Sequence, residues 1–158
     1  MELSRQGFKL STLLYKQTAR KGKDMTAVKV LIKDGNDLVR EIIELGKRLG
    51  LETKEEYNVA RRIWGANRNI DVILLDPTTR KVLGIECKYQ KTSGTIEEKL
   101  PATIEDIKAW PINGIVVYGG EGITNNMKSY LVSTGKALEF EELESWLKLY
   151  FGLSLNEA

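Results

Sequence analysis

Histidine is absent from the 158 residues. That excludes zinc sites built on imidazole, and serine or cysteine nucleophiles activated by a histidine base. Cysteine occurs once, as Cys87. No disulfide can therefore close within the chain, and no cysteine cluster can hold a metal. No apolar run approaches the roughly 20 residues that span a bilayer, and no charged-then-apolar leader opens the sequence. These absences lead to the expectation of an intracellular, cytoplasmic protein with no membrane partner. For hydrolysis they leave carboxylates, lysine and a hard divalent ion.

What is present is ordinary for a folded chain: 42% hydrophobic and 29% charged residues. The length suits one domain over residues 1–158. The net charge of +2 hides an asymmetry. Residues 1–33 hold eight Lys or Arg against Glu2 and Asp24, a balance of +6, which leaves −4 on the remainder. A basic arm on an acidic body suits a polyanion, nucleic acid above all. The same arm reads equally well as a solvated terminus.

Hydrophobic spacing predicts the elements. Leu38, Ile42, Leu45 and Leu49 recur at helical intervals behind a cap at Asn36 or Asp37, giving a helix over 38–49. Residues 51–59, 69–76 and 82–90 read as strands, with "DPTTRK" as the turn between the last two. A helix is predicted over 96–110, distorted or split by Pro101, with Thr95 as N-cap and Glu98 completing a capping box. A buried strand, "GIVVYGG", follows. Then come a helix over 125–133, a short strand over 137–140 and an amphipathic helix over 141–151. "YGGEG" lacks dinucleotide-binding spacing and reads as a strand-to-helix turn. Trp64, Trp110 and Trp146 read as core. The order is that of an α/β fold with a mixed sheet and helices on both faces.

The chemistry concentrates in "IECKYQ", residues 85–90. Alternation puts Ile85, Cys87 and Tyr89 on one face of a strand and Glu86, Lys88 and Gln90 on the other. If Asp76 pairs with Lys81 across the turn, Asp71 falls opposite Glu86 on the same face. Their Cβ atoms would then be about 4.5–5.5 Å apart. Like charges so placed repel, and a bound Mg²⁺ would offset the repulsion. A lysine beside such an ion can orient a water or neutralise a phosphate in the transition state. Gln90 has donor and acceptor atoms and could position that water. A bland reading also exists: a half-buried sheet face on which Lys88 balances Glu86.

Asp71 in "NIDVILL", followed by Glu86 and Lys88 in "IECKYQ", resembles the PD-(D/E)xK nuclease superfamily. The likeness covers residues 36–118, and Ile70 stands where the family's name has proline. It implies a restriction-endonuclease-like αβββαβ core, a mixed central sheet flanked by helices. It also implies a Mg²⁺-dependent endodeoxyribonuclease, with Mn²⁺ as a substitute. Asp71, Glu86, Lys88 and Gln90 would form the catalytic set, with Asp71 and Glu86 as metal ligands. Many members carry a further acid on the first helix. Helix geometry favours Glu41 over Glu44 for that role, since Glu41 flanks the apolar stripe; Glu56 on the first strand is another candidate. Arg61, Arg62 and Arg68, with Ser93 and Lys99, are candidate contacts to nucleic acid, each of which could equally be solvated or structural. The loop after Gln90 is similar to that of some type II restriction enzymes, which implies a restriction or homing role. A Holliday-junction resolvase, a repair nuclease and an inactive nucleic-acid-binding module are the alternatives. Cutting both strands of a duplex from one active site per chain implies a homodimer on double-stranded DNA.

Overall fold

The computed structural model describes residues 31–61, 67–92 and 94–155, with the side chains of 59–61, 67 and 68 outside that set. The chain divides into units Met1–Leu31 and Ile32–Ala158. The sheet and helices described below belong to the second unit. The basic segment thus lies almost wholly outside the described residues.

Helix α1 spans Gly35–Arg48, and strand β1 spans Glu52–Arg61. Strands β2 (Asn67–Leu75) and β3 (Val82–Tyr89) follow. Then come α2 (Ile96–Lys108), β4 (Gly114–Gly119), α3 (Asn125–Thr134), β5 (Ala137–Glu139), a 3₁₀ turn over Phe140–Glu142 and α4 (Leu143–Phe151). The five strands form one sheet in the order β1-β2-β3-β4-β5. β1, β2 and β3 pair antiparallel; β3, β4 and β5 pair parallel. Both parallel connections run through a helix, as parallel neighbours require.

Two apolar clusters sandwich the sheet. On one face Leu38, Ile42 and Leu45 of α1 join Leu143 and Leu147 of α4 against Val72, Leu83 and Ile85. On the other, Leu100, Ile104 and Ile107 of α2 and Leu131 of α3 pack over Val116 and Tyr118. β4 is covered on both sides, which explains its unbroken apolar run. α2 lies close on the sheet because Gly84 and Gly114 have no side chain. A Cβ at either position would come within 2.8 Å and 2.5 Å of the Trp110 ring.

Several boundaries differ from the sequence reading, each for a local reason. α1 starts earlier than expected because Asp34, not Asn36 or Asp37, is its N-cap: the Asp34 carboxylate accepts from the Asp37 N–H at 2.8 Å. Pro101 neither splits nor ends α2. It removes one N–H, while Leu100, Ile104 and Ile107 stay buried on both sides of it. Thr95 is the N-cap residue of α2, but its side chain makes no cap bond. The amide of Gln90 takes over, its Oε1 accepting from the Ile96 N–H at 3.1 Å.

Candidate active site

The β2–β3 turn sets the register. Asp76 N–H donates to the Lys81 carbonyl at 2.9 Å, and the Asp76 carboxylate accepts from Thr78 N–H at 2.8 Å. That bond holds the Asp76 carboxyl below its usual range. The ladder then pairs Leu75 with Val82, Leu74 with Leu83, Ile73 with Gly84 and Val72 with Ile85. Continued by one step, this register puts Asp71 level with Glu86, as the turn chemistry implied.

The ladder stops there. In a continued antiparallel pairing Cys87 would exchange hydrogen bonds with Ile70. Instead Cys87 N–H donates to Asp71 Oδ2 at 2.8 Å. A side-chain carboxylate replaces the backbone partner, and Asp71 is thereby fixed to the neighbouring strand. Pairing also skips a step on the other edge of β2. Glu55 faces Val72 and Tyr57 faces Ile70, while Glu56, level with Asp71, sits at φ +47°. Few non-glycine residues adopt that conformation. The β2–β3 ladder therefore ends at the level of Asp71, and Glu56 beside it on β1 is left out of the pairing, while the β1–β2 register shifts further on, between Asn58 and Ala60.

Glu86 and Lys88 extend from β3 on the side that Gly84 turns toward Trp110. Lys88 Nζ donates to Glu86 Oε1 at 2.9 Å, with the two side chains 27% and 18% exposed. This partial burial matters for charge. Desolvation raises the Glu86 pKa, the Asp71 carboxylate raises it further, and Lys88 opposes both. Asp71 is also raised, first by desolvation and then by Glu56, against the pull of Cys87 N–H and Lys88. Burial pushes the Cys87 thiol well up, so it is inert beside the carboxylates. The site holds two carboxylates that resist being anions and one lysine that partly relieves them.

The other sequence candidates lie elsewhere. Glu41 is half-buried on α1, the helix that packs on the Val72 and Ile85 face. The structure does not bring it to Asp71 and Glu86: among the described residues, no three of His, Cys, Asp and Glu group closely enough to hold an ion. Glu44 is exposed and pairs with Lys47 at 3.1 Å. Gln90 is not at the carboxylates either. It is 5% exposed, and backbone groups take both ends of its amide. Its Nε2 donates to the Gly122 carbonyl at 2.9 Å, opposite the bond from Ile96. Gln90 therefore latches the end of β3 to the β4–α3 turn and to the start of α2. Lys99 is exposed on α2. Arg62 and Ser93, and the side chains of Arg61 and Arg68, lie outside the described residues, as does Trp64.

Sequence reasoning missed Asp106. It lies on α2, raises the Glu86 pKa by its charge and accepts from Trp110 Nε1 at 3.4 Å. Only the sheet-facing stripe of α2, Ile104 and Ile107, could have pointed to it.

Asp71 is thus held to the β3 backbone at Cys87, and Lys88 pairs with Glu86 on that same strand. A family model for the PD-(D/E)XK nuclease superfamily domain matches residues 5–149. The chain belongs to the PD-(D/E)XK nuclease superfamily. Its mixed sheet flanked by helices is the restriction-endonuclease-like fold. No curated protein matches the chain. Among solved structures, AF1548, a protein of unknown function, is 18% identical, with a TM-score of 0.47 over 65% of this chain and 56% of that one. A repair endonuclease from Pyrococcus abyssi is 15% identical, with a TM-score of 0.38 over 69% of this chain and 49% of its own. EndoMS in complex with double-stranded DNA is 18% identical, with a TM-score of 0.35 over 75% and 49%. The present chain spans about half the length of these solved proteins.

The Gln90 latch has a measurable consequence. Gln90→Leu leaves the Ile96 N–H and the Gly122 carbonyl without their partners, and each loss costs about 1–3 kcal/mol. The variant is expected to lose at least about 2 kcal/mol of stability in urea unfolding. A loss below about 0.5 kcal/mol would show that water replaces the amide at no cost.

Proposed function

We propose that this protein is a Mg²⁺-dependent endodeoxyribonuclease, with Asp71 and Glu86 as the ion's protein ligands and Lys88 as the catalytic lysine. The observation that carries this reading is the interrupted ladder: Asp71 is pinned to Cys87 N–H and level with Glu86, while Lys88 reaches Glu86 at 2.9 Å. The donor chemistry fits a hard divalent ion. Burial raises the pKa of both carboxylates, with the Glu56 charge adding to Asp71 and the Asp71 charge adding to Glu86, and a cation removes that penalty. One or two carboxylates are the usual protein share for Mg²⁺, the rest coming from water and substrate phosphate, so the site does not need Glu41 as a third ligand. When bound, the ion would supply Lewis-acid stabilisation of the phosphate and acidify a water.

The chain's own groups do the rest. Cys87 N–H fixes the orientation of Asp71. Its Oδ1 meets no donor among the described residues, which leaves it for a ligand. Lys88 brings a positive charge to the phosphate or holds the attacking water. Gln90 orders the segment that leads from β3 into α2, and so supports the site from behind.

A restriction or homing role is the proposed type, resting on the loop after Gln90, with a homodimer cutting the two strands of a duplex. One experiment tests the whole reading: supercoiled plasmid, mismatched duplex and four-way junction, each incubated with Mg²⁺, with Mn²⁺ and with chelator. Discrete plasmid fragments support the restriction or homing type. Cleavage confined to the junction or the mismatch moves the role to resolvase or repair. Tight binding without cleavage in any metal makes the protein an inactive binding module.

The carboxylates also make a stability prediction. Their folded-state pKa values are raised, so the folded state holds more protons than the unfolded state just above the ordinary carboxylate range. Stability from these groups is therefore present at low pH and falls as pH rises through their titration. Asp71→Asn keeps an acceptor for Cys87 N–H and removes the charge. In chelator at neutral pH it is expected to melt above the wild type, and the wild type's gain on adding Mg²⁺ should vanish in it. A variant stabilised by Mg²⁺ as much as the wild type would place the ion elsewhere.

A further inference from the structure

A cavity of about 500 Å³ opens at the other end of the central strands. Val82 and Gly114, the first residues of β3 and β4, lie in its wall. Glu86 and Lys88 are four and six residues further along β3, which is about 13 and 20 Å at the usual rise per residue. Three lysines from three separate segments converge on the cavity: Lys81 from the β2–β3 turn, Lys108 from the end of α2 and Lys136 from the step into β5. Trp110, Asn113 and Tyr150 complete the polar and aromatic lining, and no carboxylate belongs to it among the described residues.

Local partners leave much of the lysines' charge uncompensated. Lys81 donates to the Tyr150 carbonyl at 2.6 Å and lies 4.0 Å from the centre of its ring. Both partners are neutral: they fix the ammonium without cancelling it. Lys108 pairs with Glu105 at 2.7 Å, but the side chains are 53% and 70% exposed, and such pairs exchange readily with solvent and other ions. Lys136 is half-buried and forms no ion pair with any described residue. The rim is ordered as well as basic. Asn113 Nδ2 donates to Tyr150 Oη at 3.2 Å, and Tyr150 O–H donates to the Val82 carbonyl at 3.1 Å. Three cations around one concave wall repel each other, and an anion with several acceptor oxygens relieves them together. The ring of Tyr150 is stacked on Trp146 at 5.0 Å and faces Lys81. A flat base therefore has no open face there, and recognition falls on the phosphate.

We infer that this cavity is a second anion site, separate from the carboxylate pair, that binds a phosphate group. The group can belong to a free polyphosphate or nucleotide, or to the backbone of a nucleic acid that reaches this end of the sheet. The inference stands independently of the proposed nuclease chemistry.

The test is calorimetric titration of the full chain with inorganic pyrophosphate in chelator, with salt-dependent binding of duplex DNA as a second arm. The variants are Lys108→Ala/Lys136→Ala together, Lys108→Arg/Lys136→Arg, and Lys88→Ala. Saturable pyrophosphate binding that weakens at least about tenfold in the double alanine variant, and survives in the double arginine variant and in Lys88→Ala, supports a free-anion site. If pyrophosphate is silent, a DNA salt slope shallower by about one to two units in the double alanine variant supports a backbone contact. Melting temperatures near the wild type would show that Lys108 and Lys136 are dispensable for folding. Pyrophosphate binding lost in Lys88→Ala but kept in the double alanine variant overturns the inference, since the anion then occupies the carboxylate site. Neither arm responding to Lys108 and Lys136 overturns it too.

Discussion

Lys88→Ala is expected to reduce DNA cleavage by about 10²–10³-fold, the usual loss when a preorganised cation or donor is removed from a developing charge. The ammonium lies 2.9 Å from Glu86 and only partly in solvent, so its charge acts at low dielectric on whatever occupies the space before the two carboxylates. DNA affinity should change little, because the interaction strengthens in the transition state more than in the ground state. Single-turnover cleavage of plasmid, beside anisotropy of a labelled duplex, separates the two effects. The variant should carry a second signature. Lys88 now lowers the pKa of both Asp71 and Glu86. Without it both rise further, and Mg²⁺ binding, which needs the anions, should shift to higher pH. Lys88→Arg keeps the charge. Substantial activity in it would assign Lys88 to charge stabilisation, and none would assign it to proton transfer or exact positioning. Wild-type cleavage by Lys88→Ala would reduce Lys88 to a surface charge and sink the site assignment.

The legible part of this site was what periodicity and turn chemistry encode. Alternation in residues 85–90 separated Glu86 and Lys88 from the apolar face. Asp76 and Pro77 fixed a four-residue turn, and that turn alone set Asp71 level with Glu86. The apolar stripes of α1 and α4 and the continuous run of β4 gave the sandwich. What stayed hidden was long-range and backbone-level. Nothing in "NIDVILL" says that its aspartate will replace a ladder partner of Cys87, because that depends on where two strands diverge. Gln90 continues the polar face of β3 in sequence and so read as part of the site. The strand ends at Tyr89, and the next side chain is drawn inward by Ile96 and Gly122, which no local pattern reveals. Helix geometry gives the half-buried position of Glu41 but not which face of the sheet α1 covers. Asp34 does not stand out as the N-cap, because Asn36 and Asp37 are equally good capping residues by type.

Gly120→Ala is the substitution expected to damage the fold most for one added methyl group. Gly120 follows β4 at φ +93°, a conformation that side chains rarely adopt. A Cβ there would also lie 2.2 Å from the Gln90 carbonyl oxygen. That oxygen cannot swing away, because it accepts from Gly122 N–H at 2.8 Å while Gln90 N–H donates to the Gly119 carbonyl at 3.0 Å. Gly122 is equally confined, its own Cβ position being 2.4 Å from the Thr92 carbonyl oxygen. The β4–α3 turn and the segment after β3 are thus packed backbone against backbone, with the Gln90 amide as the side-chain part of the same joint. Strain at a forbidden φ costs about 1–3 kcal/mol, and forcing an atom into packed surroundings costs about 1–3 kcal/mol more. Gly120→Ala should therefore lose about 2–6 kcal/mol, measurable as a lower urea midpoint. Because the joint anchors the chain two residues beyond Lys88, any folded fraction should also cleave more slowly than its concentration predicts. Gly135→Ala is the control: Gly135 has φ +65° but no atom within 4 Å of its Cβ position, so it reports the backbone strain alone. If Gly120→Ala unfolds no more readily than Gly135→Ala, the backbone at Gln90 yields easily and the joint does not hold the end of the catalytic strand.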